Sequence, residues 1–270
     1  MMSKNFIFVR HAKSEGNLLN ERSRENMQRE QPVHVFPDGA KKRHASLWRL
    51  TDQGKAQVRI TKEWIRNNLD FTFDRFLVST DLRARETAAL LDLPDARWAV
   101  RSNLRERDRG ALARIPEERK NYPEEVLWQE IDEFHSRPSR GESMTDVLVR
   151  LDIILNELGR KCSMGNAIIV CHRGIMWAFR YRLEQMLPAQ YLKLYNSNNS
   201  FDRINNCQII HYTRINPETG EETETLGWMR SICPWDTSLS SNEWQPVVHK
   251  KFSNEELLAQ VEEVERLIHD

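Results

Sequence analysis

The chain has 270 residues, 39% of them hydrophobic and 30% charged, with a formal net charge of +0. This composition suffices to bury a core under a highly polar surface and does not favour a disordered chain. The charge balance excludes a global basic field for nucleic acid, no apolar run reaches the ~20 residues of a membrane span, and Arg10 and His11 interrupt the first apolar stretch too early for a signal peptide.

Residues 5–9 (NFIFV) read as a short buried strand, followed by a turn and a short helix over 12–20. Residues 21–46 are polar and basic and carry Pro32, Pro37 and Gly39, which predicts a long loop or insertion. Thr51 is placed to cap a helix over about 52–68, with Ala56, Ile60, Trp64 and Ile65 as its apolar stripe. Residues 75–79 (RFLVS) form a second strand, 83–92 a helix and 98–100 a short strand. A helix broken at Pro123 is predicted over 117–135. Ser143 with Asp146 resembles a capping box ahead of a helix through Val147, Leu151, Ile154 and Leu158. Residues 167–171 (AIIVC) give the strongest strand pattern. Short strands follow near 207–213 and 224–231, and Ser253 with Glu256 opens a final helix over about 254–268. Strands alternating with helices predict an α/β fold, a three-layer sandwich with a central, mostly parallel β-sheet flanked by helices. The expected organisation is one domain over residues 1–270, with a basic insertion at about 21–46, a cover segment at about 113–140 and an extension from about 205.

Ligands of open α/β sheets bind beyond the carboxyl ends of the strands. Three predicted strands deliver polar residues to that edge: Arg10 and His11 from the first, Ser79 and then Arg83 from the second, His172 and Arg173 from the third. A histidine at one strand end is usually structural, and an arginine there is usually solvated or ion-paired. Three such ends together describe a compact cationic pocket suited to a phosphoryl group, because guanidinium forks match phosphate oxygens. A neutral imidazole is a competent nucleophile toward phosphorus, and nearby cations keep it neutral.

These residues carry a resemblance. VRHAKSEGN is similar to the strand–Arg-His-Gly signature of the histidine phosphatase superfamily, also called the phosphoglycerate-mutase-like family. LTDQG (50–54), STDLRARETA (79–88), LRERDRGAL (104–112), RGES (140–143) and IIVCHRG (168–174) resemble its further motifs in order, over roughly residues 5–185. The resemblance implies that His11 is the phosphorylated nucleophile, that Arg10 and Arg83 clamp the phosphoryl oxygens, and that His172 donates to them. It implies that Ser14 and Asn17 line the pocket and that Glu106 is the general acid. A surface ion pair of Glu106 with Arg105, Arg107 or Arg109 would look the same in sequence. The chain departs from the pattern at three positions. Ala12 replaces the usual Gly and would be strained at a positive φ. Lys13 stands where Glu or Gln is common. Arg173 stands where small residues are common, either contacting substrate or pairing with an acid.

The expected activity is metal-independent phosphomonoester hydrolysis through a phosphohistidine. A phosphoglycerate-type mutase and a non-catalytic phospho-ligand binder are the alternatives. ERDRGAL is close to what mutases carry. Arg114, Arg119 and Lys120, however, are scattered rather than paired into a substrate clamp, which favours the hydrolase. Lys41, Lys42, Arg43 and His44 form either an anion-recognition lid or, by default, a solvated loop. Trp128 and Phe134 either stack on substrate or pack the cover segment against the body, and Trp228, Trp235 and Trp244 of the extension are core by default. No metal-ligand or dinucleotide motif is present, so no cofactor is expected. Cys162, Cys171, Cys207 and Cys233 lack CxxC spacing and read as reduced thiols of a cytoplasmic protein. The expected partner is a small phosphorylated substrate, without nucleic acid or membrane. The apolar residues of the final helix offer either a contact with the body or a homo-oligomer interface.

Overall fold

A computed structural model describes residues 3–29, 43–110, 123–124, 126–127, 132–240 and 242–268. Among the described residues, seven strands form one sheet in the order β3-β2-β4-β1-β5-β6-β7. They are β1 (Asn5–Arg10), β2 (Arg75–Ser79), β3 (Trp98–Arg101), β4 (Asn166–Cys171), β5 (Ile209–Thr213), β6 (Trp228–Ile232) and β7 (Gln245–Pro246). The first four pair in parallel, and β5, β6 and β7 extend the sheet antiparallel. β1 and β4 are central, which is why both are continuous apolar runs rather than alternating ones.

The period of two sorts each strand between two helical layers. Phe6, Phe8, Ala167, Ile169 and Leu77 face a core formed with α4 (Met144–Lys161), α5 (Arg173–Leu183) and Tyr191 of α6 (Pro188–Tyr195). Ile7, Val9, Ile168, Val170 and Val78 face a second core formed with α2 (Asp52–Asn68) and α3 (Leu82–Leu91). Helices on both faces of a mostly parallel sheet make the expected three-layer α/β sandwich. Each fully buried Leu, Ile or Phe contributes about 1.5–3 kcal/mol to it.

Four local expectations change. Residues 21–28 belong to α1 (Glu15–Gln28) rather than to a loop; no Pro or Gly occurs between Gly16 and Pro32 to stop the helix. The face of α2 that is buried is Gly54, Gln57, Val58, Thr61 and Ile65, whereas Ile60 is exposed. That face is polar in part because it braces a backbone turn: Gln57 Oε1 accepts the Lys13 N–H at 3.0 Å. Residues 133–135 form a turn, not a helix, and Phe134 is buried there against Tyr181 and Tyr191. Residues 123–124 and 126–127 are helical. Lys41, Lys42, Arg114, Arg119, Lys120 and Trp128 lie outside the described residues. The final helix, α7 (Asn254–Glu262), has the predicted capping box at Ser253 and Glu256 but ends early and buries no residue. Leu258, Val261 and Val264 are exposed, so it does not pack on the body. The four cysteines are free and buried. No helix among the described residues is long and apolar enough to cross a membrane.

Candidate active site

The register aligns Val9, Val170 and Val78 across the central strands, so the next residues of each strand emerge together at one edge. His11 and His172 leave neighbouring parallel strands with ring centroids 5.0 Å apart. The His11 N–H continues the ladder to the Cys171 carbonyl at 2.9 Å. β5 runs antiparallel to β1, which brings residues 204–208 to the same edge.

The turn after β1 is held from three sides. The Ala12 N–H donates to Thr87 Oγ1 at 3.1 Å, and that hydroxyl donates to the Arg83 carbonyl at 2.7 Å. The first turn of α2 lies against Lys13: Thr51 caps Gly54 and also donates to the Lys13 carbonyl. A Cβ on Gly54 would stand 2.1 Å from that carbonyl, so the Leu-Thr-x-x-Gly pattern records a close backbone approach. Asn206 Nδ2 donates to the His11 carbonyl at 2.9 Å and to Asn17 Oδ1 at 3.1 Å. Ser14 donates its N–H and its hydroxyl to the same Asn17 oxygen, which ties Ser14 and Asn17 together at the start of α1. Ala12 is buried and not at a positive φ, so the missing glycine costs no backbone strain. Lys13 pairs with Glu21.

The hydrogen bonds assign the tautomers. His11 Nδ1 donates to the Ala12 carbonyl at 2.8 Å, and Nε2 accepts from Arg83 Nε at 3.2 Å. His172 Nδ1 accepts from Arg83 Nη2 at 3.2 Å, and its Nε2 lies 2.8 Å from Ser79 Oγ. Asp81 pairs with Arg83 at 2.7 Å and lies 3.4 Å from His172 Nε2. Asp81 sits at the N-cap of α3 but makes no capping bond, because its carboxylate serves Arg83. Burial, and then the Arg83 and Arg10 charges, push His11 well below the ordinary imidazole value. Burial, Arg83, His11 and Arg10 do the same to His172. Arg10 donates to the Ile204 carbonyl at 2.8 Å, while its buried Nε has no partner. Burial and the Arg173 charge lower Arg10 to about 10.

Glu106 comes from the loop after β3. Its Oε1 accepts the Arg107 N–H at 2.9 Å and lies where a Cβ on Gly174 would meet it at 2.6 Å. The loop is clamped by a buried pair: Arg150 of α4 donates to both Glu142 oxygens at 2.9 and 3.1 Å and to the Asn103 and Arg105 carbonyls. Glu142 in turn accepts the Asp108 N–H at 3.0 Å. Arg173 lies over Tyr195 and pairs with no acid among the described residues. Among the described residues, no three His, Cys, Asp or Glu side chains are grouped to hold a metal ion.

The structure thus brings Arg10, His11, Arg83 and His172 into one cluster, with Glu106 and Arg173 beside it and Ser14 and Asn17 bracing it. The sequence reading missed Asp81, Thr87, Asn206, Glu142 and Arg150. The RGES and Arg-Ala-x-x-Thr-Ala motifs were the available signals for Glu142 and Thr87, whereas nothing local marks Asn206.

Sheet, helical layers and paired strand-end histidines have the architecture of the phosphoglycerate-mutase-like α/β phosphatases. The chain belongs to the histidine phosphatase superfamily, branch 1, whose family model matches residues 6–207. It is 29% identical over 127 residues to the 6-phosphofructo-2-kinase/fructose-2,6-bisphosphatase of Gallus gallus, a match covering 47% of this chain and 26% of that protein. It is 32% identical over 94 residues to 6-phosphofructo-2-kinase/fructose-2,6-bisphosphatase 1 of Bos taurus, covering 35% of this chain and 19% of that one. The chain therefore spans about a quarter or less of these relatives. Among solved structures, the alpha-ribazole phosphatase from Shigella flexneri superposes with a TM-score of 0.59 at 18% identity, over 82% of this chain and 96% of that one. A mycobacterial glucosyl-3-phosphoglycerate phosphatase in complex with inorganic phosphate gives 0.55 at 16% identity, over 78% and 89%. At these identities the likeness is one of fold.

Proposed function

We propose that the protein is a metal-independent phosphomonoester hydrolase of small phosphorylated substrates, working through a phosphohistidine at His11. The observation that carries this reading is the state of His11. Its Nδ1 proton is tied to the Ala12 carbonyl, its Nε2 lone pair faces the Arg83 guanidinium, and burial, then the Arg83 and Arg10 charges, keep the ring neutral. A dianionic phosphoryl group entering beside Arg10 and Arg83 takes over those donors. Nε2 then attacks phosphorus as the P–O ester bond breaks, and Glu106 gives its proton to the departing oxygen. In the second step water attacks phosphorus and Glu106 takes the proton. The P–N electron pair returns to Nε2, and inorganic phosphate leaves. Arg10 and Arg83 hold the equatorial oxygens throughout.

His172 holds Arg83 through Nδ1. The arriving dianion offsets the positive field and favours a proton on that nitrogen, which turns it into a donor to the phosphoryl group. Asn17 and Ser14 fix the His11 turn and close the pocket from the side of α1.

The test is a rapid acid–base quench of the enzyme with p-nitrophenyl phosphate in the presence of a metal chelator. A base-stable, acid-labile phosphoenzyme and release of phosphate are expected, and both should vanish in His11→Ala. Full turnover in that variant would overturn the assignment. With a phosphoglycerate in place of the aryl ester, return of the group to the substrate's second hydroxyl instead of to water would identify a mutase.

A further inference from the structure

The mouth of the site carries positive charge that one phosphoryl group does not use. Arg173 opens α5 directly after His172. Its Nε is buried without a hydrogen-bond partner, and its guanidinium lies 5.1 Å from the Tyr195 ring centroid. A ring face attracts the cation yet takes none of its N–H donors. Tyr195 is itself held in place: Tyr191 stacks on it at 5.3 Å, and its hydroxyl accepts from Arg109 Nη2 at 2.9 Å. Two guanidinium groups therefore flank one fixed aromatic platform.

The placement of Arg173 separates it from the phosphoryl pocket. Arg83 is the guanidinium that reaches His11 Nε2 and His172 Nδ1, each at 3.2 Å, whereas Arg173 lies over the Tyr195 ring. It is also next to Gly174, against which the Glu106 carboxylate packs. Glu106 serves the leaving oxygen in the hydrolase reading, so Arg173 flanks the path of the leaving group. The nearby acid, Glu133, accepts from Asn196 at 3.2 Å and acts on Arg107 and Arg109.

We propose that Arg173, seated on Tyr195 with Arg109 at its far edge, is a second anion subsite that selects phosphomonoesters whose leaving group carries a further phosphate or carboxylate. This rests on the hydrolase reading, because that reading places the leaving group beside Glu106.

The test compares kcat/KM of the full chain for glycerol phosphate, phosphoglycerate and propanediol bisphosphate. Their leaving groups carry no anion, a carboxylate and a phosphate. The wild type should prefer the two doubly anionic esters by about 10- to 100-fold, the effect of one or two charge-assisted hydrogen bonds. Whichever of the two is faster identifies the anion. In Arg173→Gln that preference should fall to within about 3-fold of unity, and Arg173→Lys should restore part of it. Arg173→Lys also guards against a variant that merely unfolds. No preference in the wild type, or a preference unchanged in Arg173→Gln, would overturn the subsite. So would an equal loss on all three esters, which would place Arg173 on the transferred phosphoryl group instead. Should no ester turn over, the hydrolase reading fails separately. Calorimetric Kd values for the same three compounds then decide the subsite by the same ratios.

Discussion

Replacing Arg150 by Met tests whether a residue remote from the site controls Glu106, the general acid of the proposed reaction. Arg150 is 8% exposed and donates to Glu142 twice, to the Asn103 and Arg105 carbonyls and, at 3.5 Å, to the Glu106 carbonyl. Its partner is equally buried. Burial opposes ionisation of Glu142, yet the Arg150 fork, the Asp108 N–H and Arg105 hold its carboxyl below the ordinary value. Methionine fills most of the volume but leaves a buried carboxylate with fewer donors and three loop carbonyls without the donors Arg150 supplied. Breaking a buried pair in this way costs about 3–5 kcal/mol. For a domain of this size that is a fall in Tm of roughly 6–20 °C. The exposed Lys55–Asp52 pair is the control, and Asp52→Asn should change stability by no more than about 0.5 kcal/mol. Urea denaturation measures both. The functional consequence is selective: a loosened 103–108 loop misplaces Glu106, so kcat should fall at least 10-fold more for an alkyl phosphate than for p-nitrophenyl phosphate, whose leaving group needs little protonation. A loss of stability under about 1 kcal/mol, or equal kcat losses on the two esters, would refute the clamp.

Gly174→Ala places a methyl group against Glu106 Oε1; the expected result is a loss of about 10-fold or more on alkyl phosphates, with melting temperature nearly unchanged. In Arg83→Gln the second cause of the low His11 pKa disappears while burial, the largest, stays. The acid limb of kcat/KM should therefore move up from its wild-type position but stay below about pH 6.5, read as the difference between the two enzymes on one substrate. Buried His11, His172 and His211 all have pKa values pushed down, chiefly by burial. The unfolded chain therefore binds protons that the folded chain does not, and stability present above about pH 6.5 is lost as pH falls. Each such histidine adds a slope of about 1.4 kcal/mol per pH unit. His211→Gln should remove one proton's worth of that slope between about pH 7 and pH 5, and an unchanged slope would contradict the neutral assignment.

What could be read from the residues alone was whatever is written in contiguous stretches. The apolar runs of β1 and β4 declare buried parallel strands, and the residues that follow them must appear at the carboxyl edge. Hence Arg10, His11 and His172 were legible, as were the capping boxes at Ser143 and Ser253, which are local by construction. Glu106 was legible only through the family resemblance, since its arginine neighbours are ambiguous. The partners that hold the site were not legible. Asn206 meets His11 across 195 residues, and Arg150 reaches back 45 residues to the Arg105 carbonyl. Such pairs follow from strand order and helix placement, not from local propensity. The buried face of α2 was misjudged for a related reason: it packs a polar backbone turn, so Gln57 and Thr61 go inward where an apolar stripe was sought.

Arg10 and Arg83 beside two uncharged imidazoles, with Arg173 on the Tyr195 ring, also have a kinetic consequence. A hollow lined this way draws oxyanions inward faster than neutral solutes, and on the hydrolase reading Arg10 and Arg83 hold the product orthophosphate with the same charges that hold the ester's phosphoryl group. On that reading, departure of the product should be the slow event of the cycle. Added salt should hasten departure while delaying arrival, so turnover at saturation and turnover at low substrate should respond to ionic strength with opposite signs.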